Sequence, residues 1–242
     1  MQENIIKNLN SLPDLANDYL NADPFPHIVL MNIWNESFLD ALRVEVEGFS
    51  NWDGEKNFYG SQKKRWQSDF VKLPPKVQQI FNYLNSPVFL RSLEEITGEN
   101  SLIPDPYLMG GGIHSTGAQG FLKLHADFNW HVKMKVYRRL NLLIYLNKNW
   151  HNEFKGNLEL AEKKDNGEFK IVKSIKPIFN TTVIFTTSDY SYHGQSEPLN
   201  TPENIRRNSL AVYYYVSEKP HGTSDMKRTW TDYRNLKGEV IR

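Results

Sequence analysis

Cysteine is absent from the 242-residue chain. That excludes a disulfide framework, a thiol nucleophile and a thiolate metal site, so any bound metal must rely on His, Asp and Glu. An excess of one charge is also missing: 29 Lys and Arg face 28 Asp and Glu, a net charge of +1. Dedicated nucleic-acid and membrane-surface binders carry a basic surplus, and neither partner is expected here. No apolar run approaches the roughly 20 residues that span a bilayer. The N-terminal stretch carries an acid early and has no apolar core, unlike a signal peptide. A cytoplasmic location is therefore expected. Apolar residues make up 39% of the chain and charged ones 24%, enough for one sizeable core, and residues 1–242 are expected to form a single domain.

The first 23 residues are a polar lead-in with a weak helical pattern at Ile5, Ile6 and Leu9. Prolines at 24 and 26 push their predecessors toward extended geometry, and a short strand is expected at His27–Leu30. Asn35 then suits a helix N-cap before the helical spacing of Phe38, Leu39, Leu42 and Val46. Residues 51–66 turn polar, with Gly54, Gly60 and Lys63-Lys64-Arg65, and read as an exposed loop. Two further helices follow, one opened by Pro74-Pro75, the other capped by Ser86-Pro87 and ended by Gly98.

From about Leu102 the period changes. Short apolar runs appear at Phe121–Leu124, Leu140–Leu146, Asn157–Leu160, Phe169–Ile175, Thr182–Thr186 and Ser209–Val216, separated by turn signals. Strands this short, with no helical spacer, suggest a sandwich or jelly roll. The chain reads as mainly β with N-terminal helices: helical support over about 1–100, a β core over about 101–218, and a loop or short helix as cover over 219–242.

Within the core, His125-Ala126-Asp127 places an imidazole and a carboxylate two residues apart, so that in an extended segment both point to one face. They can take adjacent positions on one metal ion. A further His from a distant strand would complete the triangular ligand face that leaves open positions in non-haem Fe(II) oxygenases. His193, after a strand and beside Gly194, is the candidate among seven histidines. Downstream, Arg207, Ser209, Ala211 and Tyr213 share one face of a strand. A guanidinium there can clamp a carboxylate with two parallel hydrogen bonds, which a lysine cannot do.

The ordered set His125-Ala126-Asp127, Arg138 to Asn147, Trp150, Gly156 to Leu160, His193-Gly194 and Arg207-Asn208-Ser209 resembles the prolyl-4-hydroxylase-like branch of the Fe(II)- and 2-oxoglutarate-dependent dioxygenases. The resemblance covers about residues 105–217. It implies a double-stranded β-helix (jelly roll, cupin-like), with iron held by His125, Asp127 and His193. It implies that Arg207 pairs with the distal carboxylate of 2-oxoglutarate and that Tyr145 hydrogen-bonds this cosubstrate, with Asn141 on the same face. Where the family often has a hydroxyl four residues after the arginine, this chain has Ala211, so Ser209 or Tyr213 is expected to substitute. Lys155-Gly156 replaces the usual paired glycine, and Arg206 adjoins Arg207.

The implied activity is hydroxylation of an unactivated C–H with O2, releasing succinate and CO2, with ascorbate as an accessory reductant. The expected substrate is a prolyl or other protein residue; a free amino acid or sugar is the alternative. His114, after three glycines, and Trp130 and His131, in an expected loop over the mouth at 130–137, are the candidate substrate contacts. A non-enzymatic metal-binding jelly roll would explain neither the arginine clamp nor open coordination positions. A carbohydrate-binding jelly roll would explain the aromatics but not the His-Asp-His set.

Overall fold

The computed structural model describes residue 5, residues 15–220 and residues 228–241; the helical pattern at Ile6 and Leu9, and His221, lie outside the described residues. The strands are β1 (His27–Met31), β2 (Gly54–Phe58), β3 (Ser61–Gln67), β4 (Ile103–Pro104), β5 (Gly112–Ala126), β6 (Trp130–His131), β7 (Val136–Tyr145), β8 (Leu158–Lys163), β9 (Phe169–Ile175), β10 (Thr181–Thr186), β11 (Tyr192–Gln195), β12 (Arg207–Val216) and β13 (Asp232–Tyr233). Four helices precede the long strands: α1 (Leu15–Leu20), α2 (Glu36–Glu47), α3 (Pro75–Leu84) and α4 (Pro87–Thr97).

The strands form one curled antiparallel sheet in the order β1-β10-β7-β12-β5-β11-β8-β9. The long strand β5 joins the two walls of this jelly roll. Its first half pairs with β12 and its second with β11. Side-chain alternation then sorts the residues of the first wall. Leu140, Leu142 and Ile144 of β7, with Leu210, Val212 and Tyr214 of β12, point outward into the core shared with the helices. Asn141, Leu143 and Tyr145, with Ser209 and Tyr213, point inward to line a cavity.

The helices sit where their caps and stripes dictate. The Asn35 side chain accepts from the Phe38 amide. Pro75 opens α3, the Ser86 side chain accepts from the Phe89 amide, and Gly98 ends α4 in the left-handed region at φ 71°. Their buried faces (Phe38, Leu39, Leu42; Val77, Ile80, Phe81, Leu84; Phe89, Leu93) cover the outer face of the first wall, each side chain worth about 1.5–3 kcal/mol of burial. No described helix is long and apolar enough to cross a membrane.

Three expectations are corrected. Residues 51–66 are no loop: β2 and β3 form a hairpin, and β3 pairs with β5. Its polar composition arises because it is the rim of the sheet, exposed on one side and facing the cavity on the other. Residues 130–137 are another hairpin, β6 pairing with β7, instead of a loop over the mouth. The cover after residue 219 includes a strand, β13, paired with β5 at His125 and Ala126. The run at Phe121–Leu124 is one part of the much longer β5.

Phe81, fully buried between α3 and the sheet, tests that packing. Phe81→Ala should lower the unfolding free energy by about 3–5 kcal/mol in urea melts; a loss below about 1 kcal/mol would mean the helical layer is not anchored there.

Candidate active site

His125 and His193 are direct cross-strand partners on β5 and β11, with ring centroids 4.4 Å apart. Gly194 allows the approach, since a Cβ there would lie 2.8 Å from the backbone of Leu124. His125 Nε2 is 3.5 Å from Asp127 Oδ1, and His193 Nε2 is 3.4 Å from Asp127 Oδ2. One ligand atom from each of the three lies within 4.8 Å of the others, a geometry able to hold a metal ion.

The tautomers follow from the other ring nitrogens. His125 Nδ1 lies 2.8 Å from the carbonyl of Lys123, and His193 Nδ1 2.9 Å from that of Ser191. Each Nδ1 must carry the proton to donate, which leaves both Nε2 lone pairs aimed inward. Burial, reinforced by His125, pushes the His193 imidazole down to about 4, so it is neutral at pH 7. Rings hold these imidazoles in place: Tyr233 stacks on His125 at 5.2 Å, and Phe185 packs against His193 at 4.7 Å.

Asp127 is cradled from behind. Its Oδ2 accepts from Arg138 Nη2 at 2.9 Å and from Asn141 Nδ2 at 2.7 Å. Arg138 Nη2 also donates to Asn141 Oδ1. Burial alone would raise the Asp127 carboxyl, but the guanidinium of Arg138, with His193 and His125, holds it well below the usual carboxylate range. Arg138 is itself fully buried, its guanidinium between the rings of Tyr213 (3.4 Å to the centroid) and Phe128 (4.6 Å). Its Nε and Nη1 have no hydrogen-bond partner, and the two π faces take that role.

A cavity of about 120 Å³ opens beside the triad. It exceeds by several-fold the roughly 10–15 Å³ needed to hold one water, so it has room for a small ligand beside the triad. Arg207 lines the same cavity, its Nε donating to the Gly156 carbonyl at 2.7 Å and its Nη2 to the Tyr145 hydroxyl at 3.2 Å. Gly156 sits at φ 77°, and a Cβ there would meet Leu199 at 2.3 Å, so the turn that orients Arg207 requires glycine. Arg206 points elsewhere, bonding Ser115 and the Lys63 carbonyl.

The structure thus brings together His125, Asp127, His193, Arg207, Tyr145, Ser209, Asn141, Tyr213 and His114 around one cavity. Two of them are committed to neighbours. Asn141 holds Asp127, and the Tyr213 hydroxyl donates to the Gly110 carbonyl. Trp130 and His131 do not line the cavity. His131 is buried 3.3 Å from Asp105, and Trp130 packs edge-on against Tyr137 and under the guanidinium of Arg228. Their β6–β7 pairing turns both away.

Residues 111–215 match the profile described as the 2OG-Fe(II) oxygenase superfamily. The chain is 28% identical over 200 residues to mouse "Prolyl 3-hydroxylase OGFOD1", covering 81% of itself and spanning 34% of the length of that curated relative. Among solved structures it is similar in fold to a Pseudomonas putida prolyl-4-hydroxylase (TM-score 0.55, 14% identity, 84% of this chain and 99% of that one). It is similarly related to a Trichoplax adhaerens prolyl hydroxylase in complex with a peptide fragment (0.55, 16%, 83% and 87%). A third fold relative is HygX from Streptomyces hygroscopicus, with nickel and 2-oxoglutarate bound (0.53, 10%, 86% and 92%).

Sequence reasoning missed four residues of this site: Arg138, Lys56, Lys64 and Tyr233 all line the cavity. A bulge hides Arg138. Leu140 faces Tyr214 but Arg138 faces Tyr215, so Arg139 is the extra residue, and strict alternation would have put Arg138 on the outer face. Its signal was a charged residue inside an apolar strand. The lysines lay in a segment read as loop.

Two outcomes test the cradle in metal-free protein. Arg138→Leu leaves a buried carboxylate unpaired and should cost about 3–5 kcal/mol in urea melts; an unchanged midpoint would remove Arg138 from the cradle. Because the Asp127 carboxyl is depressed in the fold, its contribution is present above its unfolded value of about 4 and is lost as pH falls through the lower folded value. Wild-type stability should therefore decline relative to Asp127→Asn as acid is added below about pH 4, and a difference that stays flat with pH would contradict this.

Proposed function

We propose that the chain is an Fe(II)- and 2-oxoglutarate-dependent dioxygenase that hydroxylates an unactivated C–H of a prolyl or other protein residue. One observation carries the reading: the Nε2 atoms of two histidines each lie 3.4–3.5 Å from the Asp127 carboxylate, while each Nδ1 is engaged by a backbone carbonyl. Three acceptors facing one another repel unless a cation joins them. The donor set suits Fe(II), with two nitrogens, one carboxylate and no sulfur. His125 Nε2, His193 Nε2 and Asp127 would hold the iron. Arg207, at another part of the same cavity, would face the distal carboxylate of 2-oxoglutarate. A structural metal site has no use for such a guanidinium.

When bound, iron and 2-oxoglutarate supply the oxidising chemistry, in which O2 is consumed, succinate and CO2 are released, and the substrate gains a hydroxyl. The protein's residues position and insulate. Arg138 keeps Asp127 ionised, and the two backbone carbonyls keep both imidazoles in the ligating tautomer. The Tyr145 hydroxyl and Gly156 carbonyl preset the Arg207 fork. Leu122, Leu143, Leu158 and Phe185 line the cavity with apolar surface that excludes water.

A protein substrate is supported by the relatives, since the mouse relative is a prolyl 3-hydroxylase and one fold relative is a prolyl hydroxylase in complex with a peptide fragment. A free metabolite finds less support. We further propose that the whole chain works as one oxygenase unit, since helices α2–α4 cover the outer face of the wall whose inner face bears Arg207.

Incubation with Fe(II) and 2-oxoglutarate against a prolyl-peptide panel should give succinate together with a one-oxygen mass gain on a peptide. Arg207→Met should raise the KM for 2-oxoglutarate on the order of ten- to a hundredfold, the worth of a charge-assisted pair. Asp127→Gly should abolish turnover. Full turnover in Asp127→Gly, or wild-type protein that neither consumes nor binds 2-oxoglutarate in the presence of metal, would defeat the proposal.

A further inference from the structure

The cavity has more positive charge than the reading above uses. Its charged lining is Lys56, Lys64, Arg138 and Arg207 against a single carboxylate, Asp127. Arg138 is taken by Asp127, and Arg207 is assigned to the cosubstrate's far carboxylate. The two lysines remain, and neither has an ion-pair partner among the described residues.

Their placement is ordered. Lys56 of β2 faces Lys64 of β3, Lys64 faces Thr116 of β5, and Thr116 faces Arg207 of β12. All four line the cavity, so three cations lie on one cross-strand row that runs from the rim of the sheet toward the cosubstrate clamp. Like charges directly opposite each other destabilise a hairpin. On the other face of the same hairpin the next pair obeys the rule, with Arg65 Nε bonding Glu55 at 2.9 Å. The rule is broken only on the side that faces the cavity, which is where a fold departs from local consistency for function.

The hairpin is also braced. Lys56 lies over the Trp66 ring at 5.6 Å, and Phe58 packs edge-on against Tyr233 at 5.5 Å, the same Tyr233 that stacks on His125. Burial, together with Lys56, pushes the Lys64 ammonium down to about 7. An anion arriving between the two lysines would relieve both the desolvation and the repulsion.

We propose that Lys56 and Lys64 form a clamp for a carboxylate on the substrate, so that the preferred target is a residue flanked by an acidic side chain. This rests on the hydroxylase reading for its chemistry, though not for its binding. The group recognised is a carboxylate; it belongs to an acidic peptide, because the rim position of β2 and β3 meets a chain arriving from solvent, and a free acid is the other source to be tested.

The test uses fluorescent prolyl peptides carrying Asp or Glu near the proline, their Asn and Gln counterparts, and free glutamate as competitor. Anisotropy is read on Co(II)- and 2-oxoglutarate-loaded protein and on metal-free protein, alongside succinate release. Acidic peptides should bind on the order of tenfold or more tightly than their amide counterparts. Lys64→Met and Lys56→Met should erase that preference while leaving the KM for 2-oxoglutarate unchanged. Lys64→Glu should favour a lysine-bearing peptide instead. Because removing one of two facing cations relieves repulsion, Lys64→Met should keep or raise the melting temperature of the free protein, whereas a purely structural lysine would lower it.

Equal binding of acid and amide peptides overturns the clamp, as does a Lys64→Met effect confined to 2-oxoglutarate. Free glutamate binding as tightly as the acidic peptides, in a Lys64-dependent way, overturns the peptide assignment. Lys64-dependent peptide binding without succinate release under any condition would defeat the hydroxylase reading and leave the clamp standing.

Discussion

Three electron-pair donors held within 4.8 Å of one another form an arrangement that a folded chain does not reach by default. Each would be better solvated by water, and together they repel. The fold imposes the contact through strand register, which sets His125 opposite His193, and through the close passage of β11 over β5 at Gly194. Two backbone carbonyls dictate the ring protons, and one buried guanidinium balances the carboxylate. Remove that constraint and the surrounding features lose their logic, from the Tyr213–Arg138–Phe128 stack to the Tyr233 ring on His125.

The curled sheet divides its labour by parity. On β7 and β12, Leu140, Leu142, Ile144, Leu210, Val212 and Tyr214 build the core with the helices, while Asn141, Leu143, Tyr145, Ser209 and Tyr213 line the cavity, joined past the bulge by Arg138. Stability and chemistry therefore occupy opposite faces of the same strands, so a polar, charged interior is tolerated on one side because a dense apolar layer covers the other. The cavity's charge surplus belongs to the same division. It sits on the rim hairpin, where β2 has no further neighbour among the described strands and contributes little to the core.

Much of this was legible from local patterns. Helical spacing and caps located α2, α3 and α4 because proline, serine, asparagine and glycine act over one turn. Short-period alternation marked β9 and β10 closely, and the His-x-Asp and Arg-x-Ser spacings marked residues that reach the cavity. What escaped were features created by pairing. Arg138 faces inward only because a bulge absorbs Arg139. Lys56 and Lys64 look like a solvated run until β3 docks on β5. Trp130 and His131, expected over the mouth, are turned away by a two-residue strand too short to leave a signal.

The sequence by itself determined which residue types are available, the donor chemistry that zero cysteines permit, the helix boundaries, and the face each residue takes within an unbroken strand. These are short-range properties, governed by caps and side-chain period. Tertiary structure alone decided which distant residues meet, which strand carries the bulge, and which surplus cations come to line a cavity. Those depend on register between segments 50 to 100 residues apart in the chain, and no local pattern encodes register across such a gap.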